Sequence, residues 1–188
     1  MQQLLVHTFQ LSKDEFFYSF KQQTNDLKER VFLESGRGGH YSIAAWHPFA
    51  KACSVETGLK IDWQNGKTEI QQGEALAQLE QLVKQYELEP NEQLPDFQGG
   101  AIGFITYDYA RTIEVFDEAT TDDLHVPDVF FYLFDHWAVH NVVTNEVTLM
   151  KLKTSVVDLQ QWQVEWENQA KSGLTTRHFH QEAATNAH

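Results

Sequence analysis

Short segments with β-strand character dominate this sequence and limit its folds more than any other feature. Alternating or continuous apolar residues predict strands at residues 4–9, 30–35, 40–46, 59–63, 68–70, 99–107, 129–134, 137–143 and 146–152. Helical periodicity is confined to residues 14–23, 76–86 and 156–171. Because helices do not alternate regularly with strands, the chain lacks the βαβ pattern that a parallel sheet requires. We therefore predict an α+β fold of largely antiparallel β-sheets flanked by helices.

Local signals define several of these elements. Ser12 followed by Glu15 forms a capping box, which predicts that a helix begins there with Phe16, Phe17 and Phe20 on its apolar side. The dipeptide at residues 65–66 is Asn-Gly, which predicts a type I′ hairpin turn. Residues 129–152 predict three strands in an antiparallel meander, and residues 109–114 predict a helical turn. Glycines in the strand at 99–107 indicate that another backbone or a ligand lies close to it.

The length of 188 residues and the hydrophobic fraction of 41% suit one compact domain. No linker divides residues 1–172, so we predict a single domain there. Residues 173–188 have little periodicity and few large apolar residues, which predicts a flexible tail or linker.

The chain is acidic, with 27 Asp and Glu against 14 Lys and Arg and a formal net charge of −13. A negative net charge cannot neutralise the phosphates of a nucleic acid, so we expect no nucleic-acid partner. The sequence has no signal peptide and no run of about 18 apolar residues, so we expect a cytoplasmic protein without membrane association. The single cysteine, Cys53, cannot form an intrachain disulfide, in keeping with a reducing compartment.

A search for chemistry in the residues alone finds no catalytic or metal centre. His136 and His140 stand four residues apart on a predicted strand, roughly 13 Å at about 3.3 Å per residue, which is too far to share one zinc ion. Cys53 has no histidine at a defined spacing, so a small buried residue is the better interpretation. The glycines at 36–39 lack the Lys and Ser/Thr of a phosphate-binding loop. Composition and spacing therefore predict only an α+β domain.

Three segments carry a family resemblance that goes further. They are FLES at residues 32–35 with HYSIA at 40–44, FQGGAIGF at 97–104 with YDYAR at 107–111, and DDL at 122–124 with PD at 127–128 and Asp135. In this order, the segments resemble the N-terminal region of component I of the chorismate-utilising synthases, the group of anthranilate synthase and para-aminobenzoate (aminodeoxychorismate) synthase. The resemblance covers residues 2 to 170 approximately.

The resemblance implies that residues 1–172 are an anthranilate synthase component I-like N-terminal domain. The unbroken run at 34–39 and the segment at 108–111 favour aminodeoxychorismate synthase, which helps convert chorismate and an amino donor to 4-amino-4-deoxychorismate for folate synthesis. The alternatives are the N-terminal regulatory domain of anthranilate synthase, which serves tryptophan synthesis, a stand-alone amino-acid-binding module, and a purely structural half of an enzyme.

The resemblance also implies an amino-acid pocket, with tryptophan as ligand, at Glu34, Ser35, Tyr41, Ser42, Ile43 and Ala44. Carboxylate and hydroxyl groups there suit a zwitterion, and the apolar residues suit an indole ring. A second interpretation is that Glu34 and Ser42 are ordinary strand-end residues whose side chains hold a loop. Departures from the family pattern are His40, where arginine is common, and Phe32, where leucine is common.

The implied partners are a C-terminal chorismate-binding domain and, as a further candidate, a glutamine amidotransferase subunit. The family's catalytic residues and magnesium-binding glutamates belong to that C-terminal domain, so we expect Mg²⁺ in the full-length enzyme and no catalytic residue, metal ligand or cofactor on this chain. We therefore expect this fragment alone to be inactive and to bind tryptophan weakly. We also expect it to self-associate through an apolar patch around its glycine-rich strand.

Overall fold

The computed structural model describes residues 3–36, 38–107, 109 and 126–185, with the backbone alone for residues 173–185. Its elements are β1 (Leu4–Gln10), α1 (Lys13–Thr24), β2 (Arg30–Leu33), β3 (Tyr41–Trp46), β4 (Ala50–Val55), β5 (Gly58–Trp63), β6 (Thr68–Gln72), α2 (Ala75–Lys84), β7 (Ala101–Ile105), β8 (Val129–Leu133), β9 (His136–Asn141), β10 (Glu146–Leu152) and α3 (Leu159–Thr185). The strands form two five-stranded sheets in which every described pairing is antiparallel. The predicted α+β class is confirmed.

The chain divides into two compact units. The two-helix unit comprises residues 2–47, 90–98 and 135–188, and it contains α1 and α3. The one-helix unit comprises residues 48–89 and 99–134, and it contains α2. The assignment of residues 1–172 to one family domain stays a prediction.

The sheet of the two-helix unit has the strand order β1-β10-β9-β3-β2. The helices α1 and α3 cover one face, where aromatic side chains form the core: Phe9, Phe16, Phe20, Trp46, Trp162 and Trp166. The capping box at Ser12 and Glu15 is present, as predicted. Phe16 and Phe20 are buried because they lie four residues apart on the inner side of α1, whereas Phe17 is 45% exposed, contrary to the prediction.

The sheet of the one-helix unit has the strand order β6-β5-β4-β8-β7. Its buried core is mainly aliphatic, with Leu79 and Leu82 of α2 packed in a cluster with Leu59 and Ile61 of β5. In β7, a Cβ added to Gly103 would lie 1.9 Å from the backbone oxygen of Phe130. The glycine-rich strand therefore does lie close against another backbone, as the sequence predicted.

The predicted meander is wrong, although its three strands exist. β8 pairs with β4 and β7 in one sheet, whereas β9 pairs with β3 and β10 in the other. Alternation of side chains in the sequence identifies the strands, but it does not show which strands pair with each other.

The hairpin at Asn65 and Gly66 is confirmed, but its predicted type I′ turn is wrong. A type I′ turn needs a positive φ at both central residues. Gly66 has a φ of 84°, but Asn65 is not among the residues with positive φ. The Trp63 N–H donates to the Lys67 carbonyl at 2.8 Å, so the loop holds three residues, 64–66. The Asn65 Oδ1 accepts from the Lys67 N–H at 3.0 Å, an Asx bond that favours this longer loop.

The final helix begins later and ends later than the periodicity predicted. The Asp158 Oδ1 accepts from the N–H groups of Gln160 and Gln161, both at 2.9 Å, and this caps the helix that begins at Leu159. Val156, predicted to lie on the helix, is 98% exposed before it. The helix continues to Thr185, beyond the predicted end at 171. The predicted helical turn at 109–114 lies outside the described residues, except for Tyr109.

Candidate functional site

The β2–β3 connection carries the first predicted site residues. The Ser35 hydroxyl donates to the Tyr41 carbonyl and accepts from the Tyr41 N–H at 2.8 Å. The Gly39 N–H donates to the Gly36 carbonyl at 3.1 Å within the same loop. Ser35 therefore closes the loop between β2 and β3, and its hydroxyl already has a donor and an acceptor in the protein.

Glu34 forms an ion pair with Lys13 at the start of α1. Both side chains are more than half exposed. Such a surface pair contributes about 0–1 kcal/mol, so Glu34 is not fixed in place by its partner. Its carboxylate remains accessible to a ligand with a positive charge.

Strand β3 separates the remaining predicted residues onto two faces. Ala44 belongs to the core beneath α1 and α3, and Ser42, two residues earlier on the strand, lies on the same face. Tyr41 and Ile43 lie on the opposite face and are half-buried. The structure therefore groups Tyr41 with Ile43 and Ser42 with Ala44, and a ligand on one face contacts only one of these pairs through side chains. Their role in binding stays a prediction.

Ser42 forms part of a buried polar pair that sequence reasoning did not find. It lies opposite His140 of β9 in the antiparallel register. Ser42 is 1% exposed and His140 is fully buried. The Ser42 Oγ and the His140 Nδ1 have no hydrogen-bond partner among the described residues. This register between β3 and β9 joins positions almost a hundred residues apart, so no local sequence signal indicates it.

The other ring nitrogen of His140 is bonded. His140 Nε2 lies 2.9 Å from the carbonyl oxygen of Leu11, in the connection between β1 and α1. The Phe16 ring stacks on the His140 ring with centroids 5.0 Å apart and on the Trp166 ring at 4.6 Å. Burial lowers the pKa of His140. The hydrogen bond to Leu11 has a smaller effect that raises the pKa, and the charge of Lys13 lowers it slightly further.

His136 has a different environment from His140. Its Nδ1 lies 2.6 Å from an Asp135 carboxylate oxygen, and the rings of Trp46 and Trp162 approach it edge-on. Burial is the largest single effect and raises the pKa of Asp135, but the hydrogen bond and charge of His136 and the hydrogen bond to Ser155 together bring the pKa below its ordinary value. The two histidines thus have separate partners, as predicted. Within the described residues no group of three or more His, Cys, Asp or Glu side chains is placed to hold a metal ion.

The one-helix unit contains a cleft of about 520 Å³ at the start of α2. Three of its polar side chains already serve the fold: Glu74 accepts two N–H groups at the start of α2, Ser54 accepts from the Val129 N–H, and Asp128 accepts from the Thr106 hydroxyl. Cys53 is half-buried in β4, and burial raises the pKa of its thiol, which disfavours the reactive thiolate. We assign no function to this cleft or to Cys53.

Known proteins supply the remaining comparison. No family model matches the chain. The chain is 41% identical over 129 residues to aminodeoxychorismate synthase component 1 of Bacillus subtilis, an alignment that covers 69% of this chain and 27% of that protein. It is 38% identical over 111 residues to probable anthranilate synthase component 1 of Schizosaccharomyces pombe, covering 56% of this chain and 22% of that protein. The chain belongs to the component I family of the chorismate-utilising synthases.

A solved structure of the same family has the same fold. The crystal structure of anthranilate synthase component I from Streptococcus pneumoniae superposes with a TM-score of 0.52 and 22% sequence identity. The match covers 82% of this chain and 34% of that protein. At this identity the likeness establishes the fold alone.

The chain spans about a quarter of the length of the curated component I relatives that it matches. The match therefore shows the family of this chain, and the activity of the complete relatives enters below as a proposal. In the part of the chain that the structure describes, none of the helices is both long enough and apolar enough to cross a bilayer.

Proposed function

We propose that this chain is the N-terminal part of an aminodeoxychorismate synthase component 1. The full-length protein then helps convert chorismate and an amino donor to 4-amino-4-deoxychorismate for folate synthesis. The observation that carries this proposal is the 41% identity to the Bacillus subtilis protein of that name. It agrees with the run at residues 34–39 and the segment at 108–111, which favour the same member of the family.

A second candidate is component I of anthranilate synthase. The 38% identity to the fission-yeast protein supports it over a slightly shorter alignment. The two candidates share a fold and a substrate, and they differ in the product that the complete enzyme releases.

We assign this chain a structural and ligand-binding role rather than the chemical step. Magnesium, which the family resemblance implies, prefers about six oxygen ligands, commonly one or two carboxylates with waters and substrate oxygens. The described residues contain no cluster of three or more acidic or histidine side chains that fits such a site. Magnesium and the chorismate chemistry therefore belong, in this proposal, to the C-terminal chorismate-binding domain.

The same proposal includes an amino-acid site at the β2–β3 connection. Glu34 offers an accessible carboxylate for an ammonium group, and Tyr41 and Ile43 share the half-buried face of β3 that is turned away from α1 and α3. Ser35 keeps the loop closed. Ser42 and Ala44, which face the helices, contribute through their backbone only. Tryptophan is the proposed ligand, and a glutamine amidotransferase subunit is a further proposed partner.

Product analysis of the full-length protein tests the proposed function. The protein is incubated with chorismate, magnesium and ammonia, and mass spectrometry separates 4-amino-4-deoxychorismate from anthranilate. We expect 4-amino-4-deoxychorismate to accumulate at a rate well above a control without protein. Anthranilate as the main product establishes the second candidate, and the absence of both amino products refutes membership in either activity class.

A further inference from the structure

His140 joins the sheet of the two-helix unit to the beginning of α1. A carbonyl oxygen accepts hydrogen bonds and cannot donate them, so the 2.9 Å contact with Leu11 requires a proton on the His140 Nε2. In a neutral ring the Nδ1 then carries a lone pair and no proton. Leu11 directly precedes Ser12, the N-cap of α1, so this bond fixes the backbone at the point where the helix begins.

The Nδ1 atom of His140 has different surroundings from the Nε2 atom. Its neighbour across the register is Ser42, whose hydroxyl is buried and without a described partner. Side chains opposite each other on one face of an antiparallel pair have Cβ atoms about 4.5–5.5 Å apart. The Ser42 hydroxyl is therefore the side-chain group opposite His140 on β3, and it is able to accept a hydrogen bond from a protonated Nδ1.

Among the described residues, the acidic side chains in the first turn of α1, the helix that packs against the ring, already have partners. The opposite residue on β10 is Val147, and α3 contributes Trp166 through the Phe16 stack. On α1, the charged residues of the first turn are Lys13, Asp14 and Glu15. Lys13 is cationic and is paired with Glu34, and the Glu15 carboxylate is bonded to Ser12. Asp14 has its own interaction.

We propose that His140 is a pH-sensitive latch that holds the start of α1 on the sheet while its ring is neutral and releases it when the ring is protonated. Protonation gives a buried imidazolium with a single hydroxyl as its second acceptor. The cation favours solvent, and leaving the core breaks the Leu11 bond and the stack on Phe16. Release therefore exposes the aromatic face of α1 and leaves the one-helix unit intact.

The direction of the pH effect follows from burial. Because the pKa of His140 is lowered in the folded protein, the open or unfolded state takes up the proton first as the pH falls. The closed state is therefore unaffected above pH 6.5, the ordinary value for histidine, and loses stability below it. Opening should increase about tenfold for each pH unit below that value until the folded ring itself titrates.

Hydrogen exchange of the complete chain measures this release. Exchange of α1 amides is compared at pH 7.5 and 5.5 after correction for the intrinsic rate, with the β5–β6 hairpin as the internal reference. We expect α1 protection to fall about tenfold and the hairpin to remain unchanged. Equal loss in both regions, or no loss in α1, overturns the proposal.

Two variants separate the latch from general acid sensitivity. His140→Gln retains an N–H donor for Leu11 but has no titration in this range, so α1 protection should lose its pH dependence. His40→Gln changes an exposed histidine and should behave as the native chain does. An α1 response that persists in His140→Gln refutes the latch.

A third variant and a spectroscopic measurement do not depend on the folding of His140→Gln. Long-range ¹H–¹⁵N correlation spectra of the native chain should give the Nε2–H tautomer for His140 at pH 7.5. Ser42→Ala should move the His140 titration to lower pH, because the imidazolium loses its neighbouring acceptor, while stability at pH 7.5 is unchanged or higher. A Nδ1–H tautomer, or a titration near pH 6.5 that Ser42→Ala leaves in place, contradicts the proposal.

Discussion

Each unit of the chain packs one or two helices on a five-stranded antiparallel sheet, but the two cores contain different kinds of side chain. In the two-helix unit, the core between the sheet and its two helices contains three tryptophans, two of which belong to α3, and two buried histidines. In the one-helix unit, the buried core beneath α2 is mainly aliphatic, and the described part of this unit contains no histidine. Its ion pairs, such as Lys60 with Asp62 and Lys67 with Glu69, are on the surface.

Because of this difference, the stability of the two units should depend differently on pH. Bonding to Thr68 and Lys60 lowers the pKa of Asp62, and bonding to Lys67 lowers that of Glu69, but both carboxylates are partly exposed to solvent, which screens them, and they affect stability little. His140 is fully buried, so its titration must change the packing around it. The two-helix unit should therefore respond to moderate acid, whereas the one-helix unit should not.

The largest expected change in the free energy of unfolding comes from removing the Phe16 ring in the core of the two-helix unit. Phe16 is 1% exposed and stacks on both Trp166 and His140, so Phe16→Ala should lower the free energy of unfolding by about 3–5 kcal/mol. Urea unfolding followed by tryptophan fluorescence measures this change. Phe17→Ala is the matched control, because Phe17 is adjacent on the same helix and 45% exposed. Equal effects of the two substitutions would contradict the described orientation of α1.

A smaller effect is expected from backbone crowding in the one-helix unit. Gly103→Ala places a Cβ against the Phe130 oxygen and the Phe131 backbone, so β7 must move away from β8 at a cost of about 1–3 kcal/mol. Gly36→Ala is the control, since a Cβ there meets nothing within 4 Å. Circular dichroism during urea unfolding provides the comparison. Full stability of Gly103→Ala would show that β7 does not lie against β8 as described.

Helix capping gives the smallest effect and compares the units directly. Ser12→Ala removes the N-cap of α1, and Glu74→Ala removes the side chain that accepts the Leu76 and Ala77 N–H groups at α2. Each should cost about 1 kcal/mol. Hydrogen exchange should show the loss in the helix whose cap was removed and not in the other helix. A loss of protection in both helices for either variant would mean that the units do not open separately.

Local signals in the sequence predicted the elements well because their causes are local. The capping box at Ser12 needs only Glu15, three residues on, and the hairpin at Gly66 needs only a glycine between two alternating strands. The pairing of β8 with β4 and the register of Ser42 against His140 depend on distant segments, and neither was predicted. The two faces of β3 follow from simple alternation, so the separation of Tyr41 from Ser42 could have been inferred before the structure.

Asn65 and Val156 show why some local predictions were wrong. Asn-Gly favours a two-residue turn, but the Asn65 side chain bonds to the Lys67 N–H and stabilises a three-residue loop. Val156 continues the apolar period of α3, but the Asp158 side chain caps the helix after it. In both cases the hydrogen bonding of one side chain outweighs a weak propensity.

Complementation tests most directly the claim that this chain is one part of a chorismate-utilising synthase. The chain and the remainder of the full-length protein are expressed separately, and each is assayed with chorismate, magnesium and ammonia, alone and mixed. We predict no amino product from the chain alone and amino product when the two parts are combined. Amino product from the chain alone, in a preparation free of full-length enzyme, would contradict the placement of the chemistry in the C-terminal domain.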